Sequence, residues 1–336
     1  MVFLRVFAGC QIRIWKDRRA VFLLFALLLV GPAVIGIRTL AHVEDMSHVG
    51  VLQTPAVDSL SKFHLLLLPG SRQRNVPGAA HPYLSDTVSR DSLLLHFSTL
   101  DDVYLLLLPF LALLLGANVW PHRAAMFLTL LTLPMSRSVH FLIRVFALGT
   151  STVGAMALVF GVNLGTTLLL QHPTVDEIRL IAEFHLIALL YALVFGFVSV
   201  SLAGSLPRTS TALGVGLVLL AVLAGVGITG LRYAQASYVQ SHRTALEKAE
   251  DLGSQLERDL AVRAITYLAM TPSIAYNEAV SVLPEIHRSA GGCQGCATVS
   301  MYRRHASRSY QGLLLSSLAA IMLGWFGFLR RKVPGS

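Results

Sequence analysis

The sequence predicts an all-α polytopic membrane protein with six transmembrane helices and both termini in the cytoplasm. An amphipathic cytoplasmic helix precedes the first span, and two loops form a small extracytoplasmic domain. Three observations predict this class. Of 336 residues, 54% are hydrophobic and 13% charged, about half the charge of a soluble domain. Six apolar stretches approach the roughly 20 residues that cross about 30 Å of hydrocarbon. Lysine and arginine are segregated between the segments joining those stretches, which sets orientation.

In chain order, residues 1–19 form the N-terminal helix, with Phe3, Leu4, Val6, Phe7, Ile12, Ile14 and Trp15 for the interface and basic residues for lipid phosphates. The spans follow at 20–38, 103–120, 141–170, 178–204, 211–231 and 311–329. The first apolar run is longer than a signal-peptide core and no Ala-x-Ala site follows it, so it reads as an anchor. Residues 121–140 are a cytoplasmic loop and 330–336 a cytoplasmic tail. Segment 39–102 holds Pro69-Gly70-Ser71 and Pro77-Gly78 and reads as irregular structure with short elements. Segment 232–310 opens with a helix-forming stretch, 234–265, broken at Thr271-Pro272-Ser273 before a short helix over 273–287.

Charge placement gives the sidedness. Arg5, Arg13, Lys16, Arg18, Arg19, Arg123, Arg137, Arg144, Arg208, Arg330, Arg331 and Lys332 fall on one side, with Asp17 as their sole acid. The positive-inside rule makes that side cytoplasmic. The formal charge of +9 therefore marks orientation, not nucleic acid. Three cysteines are too few for a disulfide scaffold, and no Asn-x-Ser/Thr sequon occurs.

Three stretches resemble the permease subunits of type-2 ABC transporters, in the subgroup with enlarged extracytoplasmic loops. Trp15-Lys16-Asp17-Arg18-Arg19 before the first span is similar to the end of the family's elbow helix. Leu107-Leu108-Pro109-Phe110-Leu111-Ala112-Leu113-Leu114-Leu115-Gly116, followed by Leu133-Pro134-Met135-Ser136-Arg137, is similar to the second span and the loop that docks on the ATPase. Gly204 to Ala212 is similar to a short inner turn. The resemblance implies a coupling loop containing Pro121, His122, Arg123, Leu133, Pro134, Ser136 and Arg137. It implies as partners an ATP-binding cassette ATPase and a second permease subunit, as homodimer or heterodimer, in the cytoplasmic membrane. An extracytoplasmic accessory protein is a further candidate partner. Where the family has a Glu-Arg-Glu-x-Gly-Thr-like run, this loop reads Pro121-His122-Arg123-Ala124-Ala125-Met126, without acids or glycine. A divergent member of a heterodimeric pair would fit that loss.

The chain has no Gly-x-x-x-x-Gly-Lys-Ser/Thr loop, so it is not expected to be an enzyme or to hold a cofactor. ATP and Mg belong to the partner ATPase. Gly225-Val226-Gly227-Ile228-Thr229-Gly230 matches a dinucleotide fingerprint only in letters, since it lies in an apolar span and follows no strand. Those glycines, like Gly161 and Gly165, read as helix-packing positions. Glu183 and His185 fall in the fourth span, where polar groups need partners, and are candidates for a polar path or for local bonding. Cys293 and Cys296, with Gly291 and Gly292 before them, read as a disulfide, free thiols or a redox pair; a metal site lacks a second cysteine pair. Two functional classes remain: a permease subunit driven by a separate ATPase, and a non-transporting scaffold whose outer loops bind a partner protein.

Overall fold

The structure is a computed structural model that describes residues 2–47, 84–121, 135–171, 173–206, 210–223, 270–290 and 296–330. The regular structure among these residues is all helical. In chain order the helices are α1 (Val2–Lys16), α2 (Arg18–Ser47), α3 (Leu84–Asn118), α4 (Arg137–Gln171), α5 (Val175–Ser205), α6 (Ser210–Leu223), α7 (Pro272–Ala290) and α8 (Cys296–Arg330).

Four of them are long and apolar enough to cross a membrane, over Arg18–Ile37, Arg137–Leu170, Glu177–Ser205 and Ala306–Arg330. The apolar parts of α3 and α6 are shorter, Val103–Asn118 and Ser210–Leu223. Residues 224–231 of the predicted fifth span lie outside the described residues, as do 48–83 and 232–269 of the two outer segments. Where segment 39–102 is described, it is helical at both ends: α2 continues to Ser47, and α3 starts at Leu84. The Pro and Gly residues that suggest irregular structure end at Pro82, and no glycine or proline interrupts the chain until Pro109. Nothing between them breaks an i to i−4 ladder.

Local chemistry sets the helix ends. Asp17 separates α1 from α2 and caps α2, its Oδ1 accepting from the Arg19 N–H at 2.9 Å. Thr174 and Glu177 form a reciprocal capping box at the start of α5, in which the Thr174 N–H donates to Glu177 Oε2 at 2.6 Å. Pro173, directly before that cap, lacks the N–H that would extend α4. At α7, the Thr271 carbonyl accepts from the N–H groups of Ile274 and Ala275, and Pro272 takes the first helical position, where a missing N–H costs nothing.

The bundle is built around α5, against which α3, α4, α7 and α8 all pack. Within its apolar window 61% of residues are buried, against 28–39% in the other three candidate spans. Contacts give the directions. Leu113 and Trp120 of α3 and its flank meet Ser199 and Val200 of α5, and Tyr104 meets His185, so α3 and α5 run parallel. Ser201 of α5 bonds Ala320 of α8, while Ser205 faces Gly327, so α8 runs the same way. The beginning of α2 and the end of α8 therefore share the end of the bundle that holds Asp17; the α4–α5 turn lies at the opposite end. Outward, α2 presents Phe22, Phe25 and Leu29, and α8 presents Leu314, Leu318, Leu323 and Phe326, all exposed. Apolar faces of this extent suit lipid rather than water.

Between lipid-facing helices, close packing replaces hydrophobic burial as the main attraction. At Gly116 an added Cβ would lie 2.5 Å from the Gly196 carbonyl oxygen, and at Gly324 it would overlap Ser201. The close approach lets Ser199 Oγ donate to the Leu113 carbonyl at 2.6 Å and Ser201 Oγ to that of Ala320 at 2.7 Å. Gly161 and Gly165, read from sequence as packing positions, have no described neighbour within 4 Å of such a Cβ. The closest approaches fall instead at Gly31, Gly116, Gly204, Gly324 and Gly327.

Helix α1 lies against α4. Gln11 Nε2 donates to the Ala147 carbonyl at 2.9 Å and to Thr150 Oγ1 at 2.7 Å, and Gln11 Oε1 accepts from Ser151 at 2.6 Å. Cys10 is buried beside this contact, and burial pushes its thiol pKa up against the opposing pull of Arg144 and Arg13. It is a packing residue rather than a reactive one.

Helix α7 packs on α8, α5 and α3. Tyr276 stacks on Tyr191 with ring centroids 4.5 Å apart, and Tyr191 donates to the Leu105 carbonyl and contacts Ser273. Glu278 is buried on α7 with Ser309 of α8 beside it. Burial pushes its carboxyl up to about 7, the neighbouring Ser309 hydroxyl opposing.

This packing can be tested at two positions. Gly324→Leu should disrupt the α5–α8 contact, because the obstruction includes the Ser201 backbone; a loss of about 1–3 kcal/mol is expected, read as a lower unfolding temperature in detergent. Glu278 titrates near 4.5 when unfolded and near 7 when folded, so its protonated form favours the fold. Its contribution is full below about pH 4.5 and lost as pH rises through about 7. Unfolding temperatures of wild type and Glu278→Gln, measured across that range, should diverge as pH rises, with the wild type falling.

Candidate functional site

The strongest constellation lies at the Asp17 end, around the attachment points of segment 122–134. Asn118, at the end of α3, donates from Nδ2 to Asp17 Oδ2 at 2.6 Å. The Asp17 carboxylate thus ties the α1–α2 corner to α3 while capping α2. Two residues further on, Trp120 donates from Nε1 to the Val200 carbonyl of α5 at 2.8 Å. Its indole packs on Phe328 of α8, 4.9 Å between centroids, and leaves room for no side chain at Gly204, where a Cβ would come within 2.7 Å of it.

Across the indole lies Arg144 of α4. Its guanidinium carbon is 4.1 Å from the ring centroid, and Nη1 donates to the His140 carbonyl at 2.7 Å. Arg144 is 1% exposed, and no ion pair to it occurs among the described residues. The ring face therefore supplies part of what a carboxylate would otherwise provide. His140 is equally buried, and neither ring nitrogen has a hydrogen-bond partner among the described residues.

The far attachment point is similarly held. The Ser136 carbonyl accepts from the His140 N–H at 3.1 Å, and Ser136 Oγ caps α4 through the Val139 N–H at 3.4 Å. Trp325 of α8 donates to Ser138 at 3.3 Å. Of the expected coupling residues, Pro121, Ser136 and Arg137 stand at these two anchored ends. His122, Arg123, Leu133 and Pro134 lie outside the described residues. Displacement of the Trp120 end would press on α4, α5 and α8, and displacement of the Ser136 end on α4 and α8.

A second polar group lies in the interior. Asn163 of α4 donates from Nδ2 to the Tyr104 hydroxyl at 2.6 Å and to His185 Nε2 at 3.1 Å. His185 Nδ1 lies 2.8 Å from the Ile181 carbonyl. A carbonyl only accepts, so Nδ1 carries hydrogen and Nε2 receives the Asn163 donor, an arrangement made by neutral imidazole. Gly31 lets α2 lie directly on the Asn163 amide, where any Cβ would overlap it. Four helices are joined by this cluster.

Glu183 does not join it. Two residues apart, Glu183 and His185 point about 200° apart around the helix. Glu183 turns outward to pair with Arg179 at 3.1 Å, one helical turn away. Cys296 opens α8, while Cys293 lies outside the described residues. No group of three metal-ligating side chains occurs among the described residues.

Asn163 is a polar residue inside an apolar run, the signal that brings out His185, and Arg144, which the sequence places with the inner basic residues, is buried in the structure. Trp120 and Asn118 carry no such signal, because they sit at a span end where either residue is ordinary. No family model matches the chain, and neither a curated protein nor a solved structure matches it.

The two polar arrangements predict opposite sensitivities. Asn163→Leu strips the buried Tyr104 hydroxyl and His185 of a donor and should cost about 1–3 kcal/mol, whereas Glu183→Gln removes an exposed pair and should change stability by less than about 1 kcal/mol. Chemical denaturation in detergent measures both.

Proposed function

We propose that the chain is the membrane-spanning subunit of an ATP-driven transporter, moved by a separate ATPase that docks on the segment between Trp120 and Ser136. The observation that carries this reading is the anchoring of that segment. One end enters through an indole clamped by α4, α5 and α8, and the other leaves through a capped helix bonded to α8. A docking partner needs such rigid attachment if its motion is to bias two arrangements of the membrane helices.

Further support is the resemblance of 107–116 and 133–137 to the corresponding family stretches, and the spacing between them. On this reading the machine has six spans per subunit with both termini in the cytoplasm, sits in the cytoplasmic membrane and pairs with a second permease subunit. ATP and Mg reside on the partner, and the polar cluster at Asn163 is a structural tie. The outer segments select what is moved or pulled. The scaffold alternative keeps the fold and dispenses with the ATPase.

Affinity purification of the full chain from its own membrane distinguishes the two. A phosphate-loop ATPase should co-purify in stoichiometric amount; a stable native complex lacking any ATPase would sink the transporter reading. Within such a complex, Arg144→Lys should keep the charge but lose the planar stack on Trp120. ATP hydrolysis should persist while the ATP-dependent membrane function falls about tenfold, equivalent to ~1.4 kcal/mol of coupling.

A further inference from the structure

The corner between α1 and α2 carries a surface feature that ATP coupling does not use. A groove of about 370 Å³ lies there, lined by Trp15, Lys16, Arg18, Val21, Phe22 and Phe25. Its floor is apolar: Val21 is 44% exposed, Phe22 70% and Phe25 56%. At helical spacing these residues continue into exposed Leu29, so the groove opens onto the outward stripe of α2.

Its rim is cationic. Lys16, Arg18 and the adjoining Arg19 are all exposed, and none is ion-paired among the described residues. The single acid of the corner, Asp17, has its two oxygens engaged by Asn118 Nδ2 and the Arg19 N–H. Its carboxylate is fixed on the protein side of the corner and does not bridge the cations. Trp15 stands beside them, a residue type that settles where hydrocarbon meets headgroups.

We propose that this corner binds an anionic phospholipid. Lys16 and Arg18 take the phosphate-bearing headgroup, and Val21, Phe22 and Phe25 take the first part of an acyl chain. Charge complementarity selects an anionic lipid over a zwitterionic one, whose ammonium would face the same cations. The apolar floor selects a lipid over a free phosphate ion, which would leave exposed aromatic surface uncovered. Because Asp17 ties this corner to α3, the occupied site would brace α1 and α2 at the same end of the bundle as Trp120. The inference requires a membrane around α2 and is independent of any ATPase.

The test uses full-length protein in phosphatidylcholine vesicles containing lipids brominated on the acyl chain. Trp15 emission is isolated as the difference between wild type and Trp15→Phe. Brominated phosphatidylglycerol should quench Trp15 at about tenfold lower mole fraction than brominated phosphatidylcholine. Lys16→Gln/Arg18→Gln should remove that preference, and Lys16→Arg/Arg18→Lys, which keeps both charges, should retain it. Phe22→Ala/Phe25→Ala should weaken quenching by both lipids. Equal quenching by the two lipids in the wild type overturns the proposal, as does loss of preference in the charge-conserving variant. Equal loss in Arg330→Gln/Arg331→Gln would mean diffuse attraction rather than a site, and also overturns it. Displacement of the brominated lipid by inorganic phosphate would assign the corner to a free anion instead.

Discussion

Backbone-close packing along α5 is the constraint on which the other contacts depend. Inside a lipid-facing bundle, one apolar side chain gains little by exchanging lipid for another apolar side chain. Attraction has to come from surfaces near enough for dense contact and for side chains to reach neighbouring carbonyls. Gly116, Gly196, Gly204 and Gly324 provide that nearness. Ser199 and Ser201 convert it into hydrogen bonds to α3 and α8. A bulkier residue at these glycines would separate the helices and leave the serine hydroxyls short of their acceptors.

The buried polar side chains follow the same logic. Asn163 Nδ2 serves both Tyr104 and His185, while its Oδ1, enclosed against α2 at Gly31, has no hydrogen-bond partner among the described residues. Arg144 is accommodated by the Trp120 face and a carbonyl from its own helix. Trp120 holds its position because its N–H is bonded to Val200 and its ring is wedged between Gly204 and Phe328. The two ends that flank segment 122–134 are thus held by helix packing. Helix α7 adds a more polar layer, in which Glu278 and Tyr276 are held by burial against α8 and α5.

Much of the helical framework was legible from residue pattern. Apolar length located the four helices that can cross a membrane, and Thr271-Pro272 marked the start of α7. Helix ends were less legible. Segment 39–102 looked irregular because Pro69, Pro77 and their neighbouring glycines dominated its middle, while the Leu-rich stretch after Pro82 lacked breakers and folded into α3. The polar site was half legible. Single residues such as His185 stood out against apolar surroundings, but their partners come from 22 and 81 positions away and share no sequence spacing.

The sequence by itself determined a helical, membrane-compatible chain with a cationic, Trp-bearing corner at Trp15 to Arg19, since hydropathy, helix capping and charge are properties of local segments. Tertiary structure alone decided which glycines matter, that Glu183 turns outward while His185 is enclosed, and that Trp120 and Arg144 form one unit. Each of those outcomes depends on the distance and rotation between helices remote in sequence, and periodicity along one helix carries no information about the face its neighbour presents.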